Sequence, residues 1–337
     1  MIRFDYARPL ETAEAVRQGA RDHAAYLAGG TNLVDLMKED VARPLEVVDI
    51  NQLPLKAITG LDGGGLRLGA LATNAETAYD ERVQARYPLL ASAILAGASP
   101  QLRNAATNGG NLNQRTRCYY FYDVDTPCNK RVPGQGCGAI GGVNRIHAIL
   151  GTSRACIATH PSDMCVALAA LKADVQVTGP DGDRTIAFAD YHRLPGDEPW
   201  RDNTLRPGEL VTAIDLPAED FSRHYTYLKL RDRLSYAFSL VSVAVAMQVE
   251  EGRISDVRIA LGGVAHKPWR REEAEQAIVN EAPSPTAFDT AARALLAGAA
   301  GQGENDFKIA LARKAIVRAL AQAAAGTPQS QTDKRIA

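Results

Sequence analysis

The sequence predicts an α+β fold, and three observations predict it. Strand-like and helix-like segments alternate at short spacing over the first fifty residues, which indicates a small βαβ-type unit. Alternating apolar runs beyond position 221, one pair joined by the turn Glu250–Arg253, indicate an antiparallel meander. Two alanine-rich helical segments follow the meander. With 337 residues, the chain is long enough for two or three domains.

In the first half, each element follows from its apolar pattern and its turn residues. The first unit is predicted to contain two helices and two strands, at Glu11–Gly19, Ala24–Ala28, Asn32–Lys38 and Leu45–Ile50. Strands turned by Asp62–Gly65 come next, over Leu55 to about Leu71, and Thr73–Ala98 contains helical segments. From Asn108 to Thr159 we expect little regular structure, because no apolar period is present.

The second half returns to a globular pattern after this irregular segment. The predicted elements are a helix at Ser162–Lys172, strands at Val175–Val177, Ile186–Phe188, Leu210–Leu216, Tyr225–Leu230, Leu240–Val249 and Ile254–Val264, and helices near Thr286–Ala300 and Asp306–Ala325. Gly326 to Ala337 is polar and uncapped, so this tail is predicted to be disordered.

The composition argues against two classes of partner. Hydrophobic residues make up 46% and charged residues 23%, and the net charge is −1, so no broad field for nucleic acid is expected. No apolar run is long enough to cross a bilayer, and the first residues are not expected to act as an export signal. Nucleic-acid binding and membrane insertion are therefore not expected.

Paired glycines occur at two strand or loop ends that precede helices. Leu27–Asn32 and Ala106–Asn111 both place small, hydroxyl or amide residues around two glycines, so their backbone N–H groups could hold a diphosphate. Alone, such a pair is more often a simple turn. A third segment, Thr159–Asp163, opens a helix, where Ser162 or Asp163 would by itself be interpreted as an N-cap.

All five cysteines lie between positions 118 and 165, a clustering that points to a metal or cluster site. Four of them, Cys118, Cys128, Cys137 and Cys156, could supply the four thiolates of a [4Fe–4S] cluster. Zinc is less favoured because short Cys-x-x-Cys pairs are absent, yet it stays open, as does a basic docking loop with incidental thiols. Cys165 is predicted to be a core residue.

Six basic residues surround these cysteines, whereas Asp123 and Asp125 are the only acids from 115 to 156. An anionic cluster would be stabilised by such neighbours. The basic residues are Arg115, Arg117, Lys130, Arg131, Arg145 and Arg154.

The three glycine or helix-start segments, followed by Lys229–Arg231 and Ser239–Ala244, resemble the FAD-binding subunit of the xanthine dehydrogenase and carbon monoxide dehydrogenase family. The resemblance implies a vanillyl-alcohol-oxidase-type (PCMH) FAD-binding domain of two subdomains. It also implies a C-terminal flavoprotein domain with a three-stranded antiparallel sheet and helices. The expected boundaries are 1–220, with subdomains of about 1–55 and 56–220, then 221–325, and the tail 326–337.

The cysteine-rich insertion, about 112–158, is similar to that in flavin subunits of periplasmic aldehyde oxidoreductases. The resemblance is carried by Gln114–Cys118, Pro127–Arg131, Pro133–Cys137 and Asn144–Gly151. The beta subunit of 4-hydroxybenzoyl-CoA reductase also carries a [4Fe–4S] insertion, with different cysteine spacing, and is the nearest alternative. Two further interpretations of the chain stay open, a free-standing FAD oxidase and a zinc-braced scaffold.

The resemblance also implies which residues bind the cofactor. Ala28–Leu33 would bind the FAD diphosphate, Thr107 and Gly110 would line the second half of the site, and Asp163 and Lys229 would contact flavin or ribityl atoms. No catalytic residue is expected on this chain. The full candidate set for FAD is Leu27, Ala28, Gly29, Gly30, Thr31, Asn32, Leu33, Thr107, Gly110, Asn111, Ser162, Asp163 and Lys229.

The resemblance further implies two partners, a large subunit with a molybdenum cofactor and a small [2Fe–2S] subunit. Aldehyde hydroxylation would take place on the large partner, and electrons would pass through the small partner to FAD on this chain. In that family the export signal lies on the small subunit. A periplasmic location by co-export is therefore expected, with the cytoplasm as the alternative, while the aldehyde and the electron acceptor cannot be deduced.

Overall fold

A computed structural model describes residues 1–331, and its N-terminal unit is a parallel sheet with two helices. The elements are β1 (Asp5–Ala7), α1 (Thr12–Gly19), β2 (Ala24–Leu27), α2 (Leu33–Lys38) and β3 (Glu46–Asp49). The strand order is β1–β3–β2, and both pairings are parallel. The predicted βαβ-type unit is confirmed, and each of its predicted elements is found within two residues of its expected bounds.

The middle unit combines a five-stranded antiparallel sheet with short helices. The sheet has the order β4–β5–β8–β6–β7, from β4 (Ile58–Gly60), β5 (Leu66–Gly69), β6 (Asp174–Gly179), β7 (Gly182–Ala187) and β8 (Leu210–Leu216). The helices are α3 (Asn74–Tyr79), α4 (Glu81–Arg86), α5 (Pro88–Ala96), α6 (Pro100–Ala105), α7 (Asn108–Leu112), α8 (Tyr119–Tyr122), α9 (Asp163–Ala170) and α10 (Phe188–Tyr191).

The C-terminal unit is the predicted meander with helices packed against it. Its elements are β9 (Tyr225–Leu230), β10 (Val241–Glu250), β11 (Arg253–Gly262), β12 (Trp269–Arg270), α11 (Glu272–Gln276), α12 (Pro285–Leu295) and α13 (Phe307–Ala324). The three long strands pair antiparallel, which confirms the meander, and the two-residue β12 adds a fourth strand at the edge.

Helix α12 ends at Leu295, five residues before the predicted end at Ala300. Gly298 has a φ of +83°, which turns the chain out of the helix, and the N–H of Ala300 donates to the carbonyl of Ile149. The alanine-rich pattern therefore predicted too long a helix. The residues after Leu295 leave the helix and contact the irregular region at Ile149 instead.

Helix α9 connects the middle and C-terminal units. Six successive residues from its start, Asp163–Leu168, are buried, as expected of a helix that is apolar almost all round. It packs against α5 and against β10 and β11. The start of this helix is thereby fixed between two units, and the candidate site lies there.

The segment from Asn108 to Thr159 contains only two short helices, α7 and α8, which confirms the prediction of little regular structure. Its interior is a small core formed by Phe121, Ala139, Ile157 and Ala158 together with the cysteines. Hydrophobic burial in this segment is modest for its length. The four clustered cysteines thus form part of the interior of this segment.

The described part of the predicted disordered tail, residues 326–331, runs along β9 without helix or strand. The N–H of Gln329 donates to Thr226 Oγ1 at 2.9 Å, and Gln331 Nε2 donates to the carbonyl of Tyr227 at 3.0 Å. This part is tied to the sheet, unlike the prediction, and positions 332–337 lie outside the described residues.

Among the described helices, none combines the length and apolar character needed to cross a bilayer.

Candidate functional site

The two glycine segments meet at the boundary between the N-terminal and middle units. Gly29 follows β2 and lies against Ala105 at the end of α6, so that an added Cβ would be 1.8 Å from the Ala105 carbonyl oxygen. Gly30 has a φ of +71°, which favours glycine. In the second segment, Thr107 caps α7 by accepting from the N–H of Gly110 at 3.2 Å.

Two cavities open on either side of this meeting point and share Gly30, Thr31, Asn32 and Gly110. The first, about 340 Å³, has a mostly apolar wall that includes Leu71, Leu205 and Val211. The second, about 590 Å³, has a mixed wall with a larger share of polar groups, which include Ser162, Asp163 and Lys229. An elongated ligand whose two ends differ in polarity, joined by a compact central group, fits this arrangement.

Asn32 is a free hydrogen-bond donor at the junction of the cavities. Its Oδ1 accepts from the N–H of Arg115 at 2.9 Å, which fixes the amide orientation. Its Nδ2 is buried and has no hydrogen-bond partner among the described residues. A buried donor of this kind is costly unless a ligand supplies the acceptor. The residues present therefore fit a dinucleotide such as FAD, with its diphosphate against the shared glycines.

A chain of amide side chains fixes the second glycine segment to the start of α9. Asn111 Nδ2 donates to Asn74 Oδ1 at 2.7 Å, and Ser162 Oγ donates to Asn111 Oδ1 at 2.5 Å. Asn74, 3% exposed, lines the second cavity and was not singled out from the sequence. The only sequence feature that could have indicated Asn74 is its position directly after Thr73, the N-cap of α3.

At the start of α9, Ser162 and Asp163 have different roles. Ser162 is the N-cap, since its Oγ accepts from the N–H of Cys165 at 3.0 Å. Asp163 instead accepts from Lys229 Nζ and from Tyr227 Oη, each at 2.7 Å, which ties α9 to β9. Burial, with the Asp163 carboxylate alongside, raises the pKa of Tyr227 well above its usual value, so the phenol stays a donor.

The segment after β9 forms one wall of the second cavity. Arg233, Tyr236 and Phe238 line it together with Arg117, whose guanidinium carbon is 5.1 Å from the centre of the Phe238 ring. Sequence reasoning missed this wall, because a polar loop with two aromatic residues carries no recognisable motif. It adds cation–π and stacking surfaces to a cavity whose wall already combines apolar residues, such as Ile94 and Leu102, with hydrogen-bonding groups.

Cys118, Cys128, Cys137 and Cys156 line a single small pocket, and all four are free thiols. Cys128 and Cys137 lie opposite each other in an isolated antiparallel bridge. Burial raises the pKa of Cys118 to about 12 and that of Cys156 to about 11, so a positive centre is needed to hold them as thiolates. The donor set, four sulfur atoms and no carboxylate, fits a centre held by four thiolates, either an iron–sulfur cluster or a zinc ion.

The basic residues near the cysteines are mostly paired, which corrects the simple charge argument. Arg115 and Lys130 both bind Asp202, Arg117 binds Asp35, and Arg145 binds Asp232. These acids come from outside the segment 115–156, so the local excess of positive charge is largely cancelled. Lys130 still lines the cysteine pocket and is buried.

The first cavity adjoins the small apolar core that contains the four cysteines. Leu36 on α2 and Ala42 line the cavity, and both also pack into the small core that contains the four cysteines. The two sites are thus neighbours, separated by the helix that follows the first glycine segment.

Cys165 lies apart from the other four cysteines, in α9, and is fully buried. Its sulfur and one ring nitrogen each of His160 and His192 lie within 4.8 Å of one another, a geometry that could hold a metal ion. Burial lowers the pKa of His192 to about 4, and the Nε2 of His192 pairs with the Leu112 carbonyl at 2.9 Å. At neutral pH these groups are therefore uncharged and buried in the core.

Gly29→Ala is expected to abolish tight FAD binding and to lower the free energy of unfolding by about 1–3 kcal/mol, the usual range for overpacking. The new Cβ would overlap the Ala105 carbonyl and push the two glycine segments apart. The measurement is FAD content after gel filtration, with urea unfolding of the FAD-free chain. Gly63→Ala is the matched control, because a Cβ there meets nothing within 4 Å. Normal FAD content in Gly29→Ala would contradict the assigned junction.

The geometry agrees with comparisons to known proteins. Residues 2–219 match the FAD binding domain in molybdopterin dehydrogenase, and residues 224–323 match the CO dehydrogenase flavoprotein C-terminal domain. The chain is 48% identical to the aldehyde oxidoreductase FAD-binding subunit PaoB of Escherichia coli (strain K12), over 96% of this chain and 99% of that one.

More distant relatives share the whole architecture. The carbon monoxide dehydrogenase medium chain of Afipia carboxidovorans is 27% identical over 95% of this chain and 98% of its own. The reconstituted CO dehydrogenase from Oligotropha carboxidovorans superposes with a TM-score of 0.75 at 27% identity, covering 96% of this chain and 99% of that chain. The α+β fold with a C-terminal antiparallel sheet is thereby confirmed, and this chain belongs to the family of FAD-binding subunits of molybdenum hydroxylases, which are oxidoreductases.

Proposed function

We propose that this chain is the FAD- and [4Fe–4S]-containing electron-transfer subunit of a heterotrimeric, molybdenum-dependent aldehyde oxidoreductase. The observation that carries the proposal is the convergence of four free cysteines on one pocket whose surrounding core shares Leu36 and Ala42 with the first cavity. The relative named as an aldehyde oxidoreductase subunit, 48% identical over nearly the full length, supports the substrate class.

The residues of this chain would bind and orient the dinucleotide and would not themselves react. Gly29, Gly30 and the Asn32 amide would hold the diphosphate, and the apolar wall at Leu205 and Val211 would take one end of the dinucleotide. In the second cavity, the acid and base Asp163 and Lys229 neutralise each other. When bound at this site, FAD would supply the chemistry of electron transfer between a partner's [2Fe–2S] centres and an external acceptor, and the cluster would be a neighbouring redox group.

The proposal includes two partner subunits, a large one with the molybdenum cofactor, where the aldehyde is hydroxylated, and a small [2Fe–2S] one. It also includes a periplasmic location, reached by co-export with the signal on the small partner. Removing that signal in a strain that expresses all three subunits should leave this chain in the cytoplasm.

A free-standing FAD oxidase is less well supported by the cavity. Such an enzyme needs an unpaired acid or base close to the flavin. In the second cavity, Asp163 accepts from both Lys229 and Tyr227, so its carboxylate is engaged in structural hydrogen bonds. The alternative of a 4-hydroxybenzoyl-CoA reductase-like subunit shares the cofactors and differs in the partner's substrate.

The test is to measure flavin and metals on one anaerobic preparation of this chain. We expect one FAD and about four iron atoms per chain, with no oxidation of aldehyde until the two partners are added. Turnover of aldehyde by the isolated chain would reject an electron-transfer role. Zinc in place of iron, without the broad absorbance of an iron–sulfur cluster, would instead support a zinc-braced segment and overturn the cluster.

A further inference from the structure

His147 contacts one of the four clustered cysteines. Its Nε2 lies 3.0 Å from Cys118 Sγ, and both residues are buried, with 1% and 7% of their surfaces exposed. Aromatic rings on α8 enclose the imidazole, since the rings of Tyr119 and Tyr120 are centred 6.5 and 6.4 Å from it. The contact is therefore shielded from water on the folded protein.

The backbone of His147 is clamped by the C-terminal unit. Lys308 Nζ donates to the His147 carbonyl at 2.8 Å, and Asn305 Nδ2 donates to the same oxygen at 3.2 Å. Nearby, Asn144 Nδ2 donates to the carbonyl of Gln302 at 2.9 Å. The imidazole therefore approaches Cys118 from a fixed support, which is the arrangement by which outer groups orient and tune metal ligands.

The direction of the hydrogen bond follows from the chemistry of the sulfur. A cysteine that ligates iron is a thiolate and can only accept, so the proton of the ring must be on Nε2. Nδ1 is buried without a partner among the described residues and would carry the lone pair of the neutral ring. An N–H directed at the sulfur withdraws electron density from it and stabilises the more negative, reduced cluster.

We propose that His147 is a positioning residue of the cluster, whose Nε2–H donates to Cys118 Sγ and thereby raises the cluster's reduction potential. The inference rests on the cluster assigned under the proposed function. The inference adds to the four proposed ligands a residue that does not contact iron. His147 lies ten positions beyond the third clustered cysteine, Cys137, and its backbone is held by the C-terminal unit.

The test compares His147→Phe, which removes the donor and keeps a ring, with His147→Gln, which keeps an N–H near the same place. The full chain is reduced stepwise under anaerobic conditions while the cluster is followed by electron paramagnetic resonance, and iron is counted. We expect iron to be retained in both. At a fixed ambient potential the ratio of reduced to oxidised cluster should fall about tenfold in His147→Phe, about 59 mV for one electron, and by less in His147→Gln.

His224→Phe is the matched control, because this half-buried histidine pairs with the Ala323 carbonyl and not with a cysteine. It should leave the potential unchanged. An unchanged potential in His147→Phe with full iron would overturn the inference while the proposed function stands. Loss of iron from both His147 variants, with iron kept in the control, would mean that His147 is needed to retain the cluster rather than to tune it, and would also overturn the inference.

A second measurement needs no variant. In the wild-type chain labelled with ¹⁵N-histidine, the reduced cluster should show a weak nitrogen hyperfine coupling, as expected across a hydrogen bond. A strong coupling, typical of direct ligation, or no coupling at all would each reject the inference. Wild-type protein without iron would instead remove the proposed cluster, and the inference with it.

Discussion

Cys137→Ser is expected to empty the cluster pocket of iron and to loosen residues 113–159. The segment has one short helix and a small apolar core, so the free energy of binding the proposed cluster would be to a large extent the free energy that orders it. Iron should fall from about four atoms per chain to less than about one. Elemental analysis gives the iron content, and limited proteolysis reports the loosening.

The matched control is Cys165→Ser, the same substitution at a cysteine that does not line the pocket. Iron content in that variant should stay at the wild-type value, even though a hydroxyl buried in α9 costs stability. Cys118→Ser should behave like Cys137→Ser. If iron disappeared only from Cys165→Ser, the assigned ligand set would be wrong.

The elements of this fold were predictable where one face of a segment is buried. Helix α1, strand β8 and the meander strands β9 to β11 have regular apolar periods, and their observed bounds differ from the predicted ones by two residues or fewer. Helix α12 was overestimated because the chain leaves the helix at Gly298, and the N–H of Ala300 donates instead to the carbonyl of Ile149, about 150 positions earlier. Local pattern contains no information about such a contact.

The candidate site, too, could be predicted from the sequence only in part. The glycine segments and the cysteines were recognisable because each carries its chemistry in consecutive residues or in a rare residue type. His147 and Lys308 were not recognisable, since a histidine or lysine gains its role only from a partner that folding brings near. The charge argument failed for the same reason: Asp202, which pairs with Arg115 and Lys130, lies 87 and 72 positions away from them.

Lys229→Met is expected to lower the free energy of unfolding by about 3–5 kcal/mol, because it leaves the Asp163 carboxylate buried without its cation. The Lys229 and Asp163 side chains are only 3% and 8% exposed, so water replaces the lost partner poorly. FAD content should fall as well, since both residues line the second cavity. Urea unfolding of the FAD-free chain measures the stability effect without the contribution of the ligand.

The double variant, Lys229→Met with Asp163→Asn, separates charge from packing. Most of the lost stability should return, because neither charge is then buried without its partner. The hydroxyl of Tyr227 also keeps an acceptor, since the asparagine oxygen can replace the carboxylate oxygen. The exposed pair Arg145 and Asp232 is the matched control, and Asp232→Asn should cost about 0–1 kcal/mol. If the double variant were as unstable as Lys229→Met, the loss would come from packing around β9, and the pair would not be what ties α9 to the C-terminal sheet.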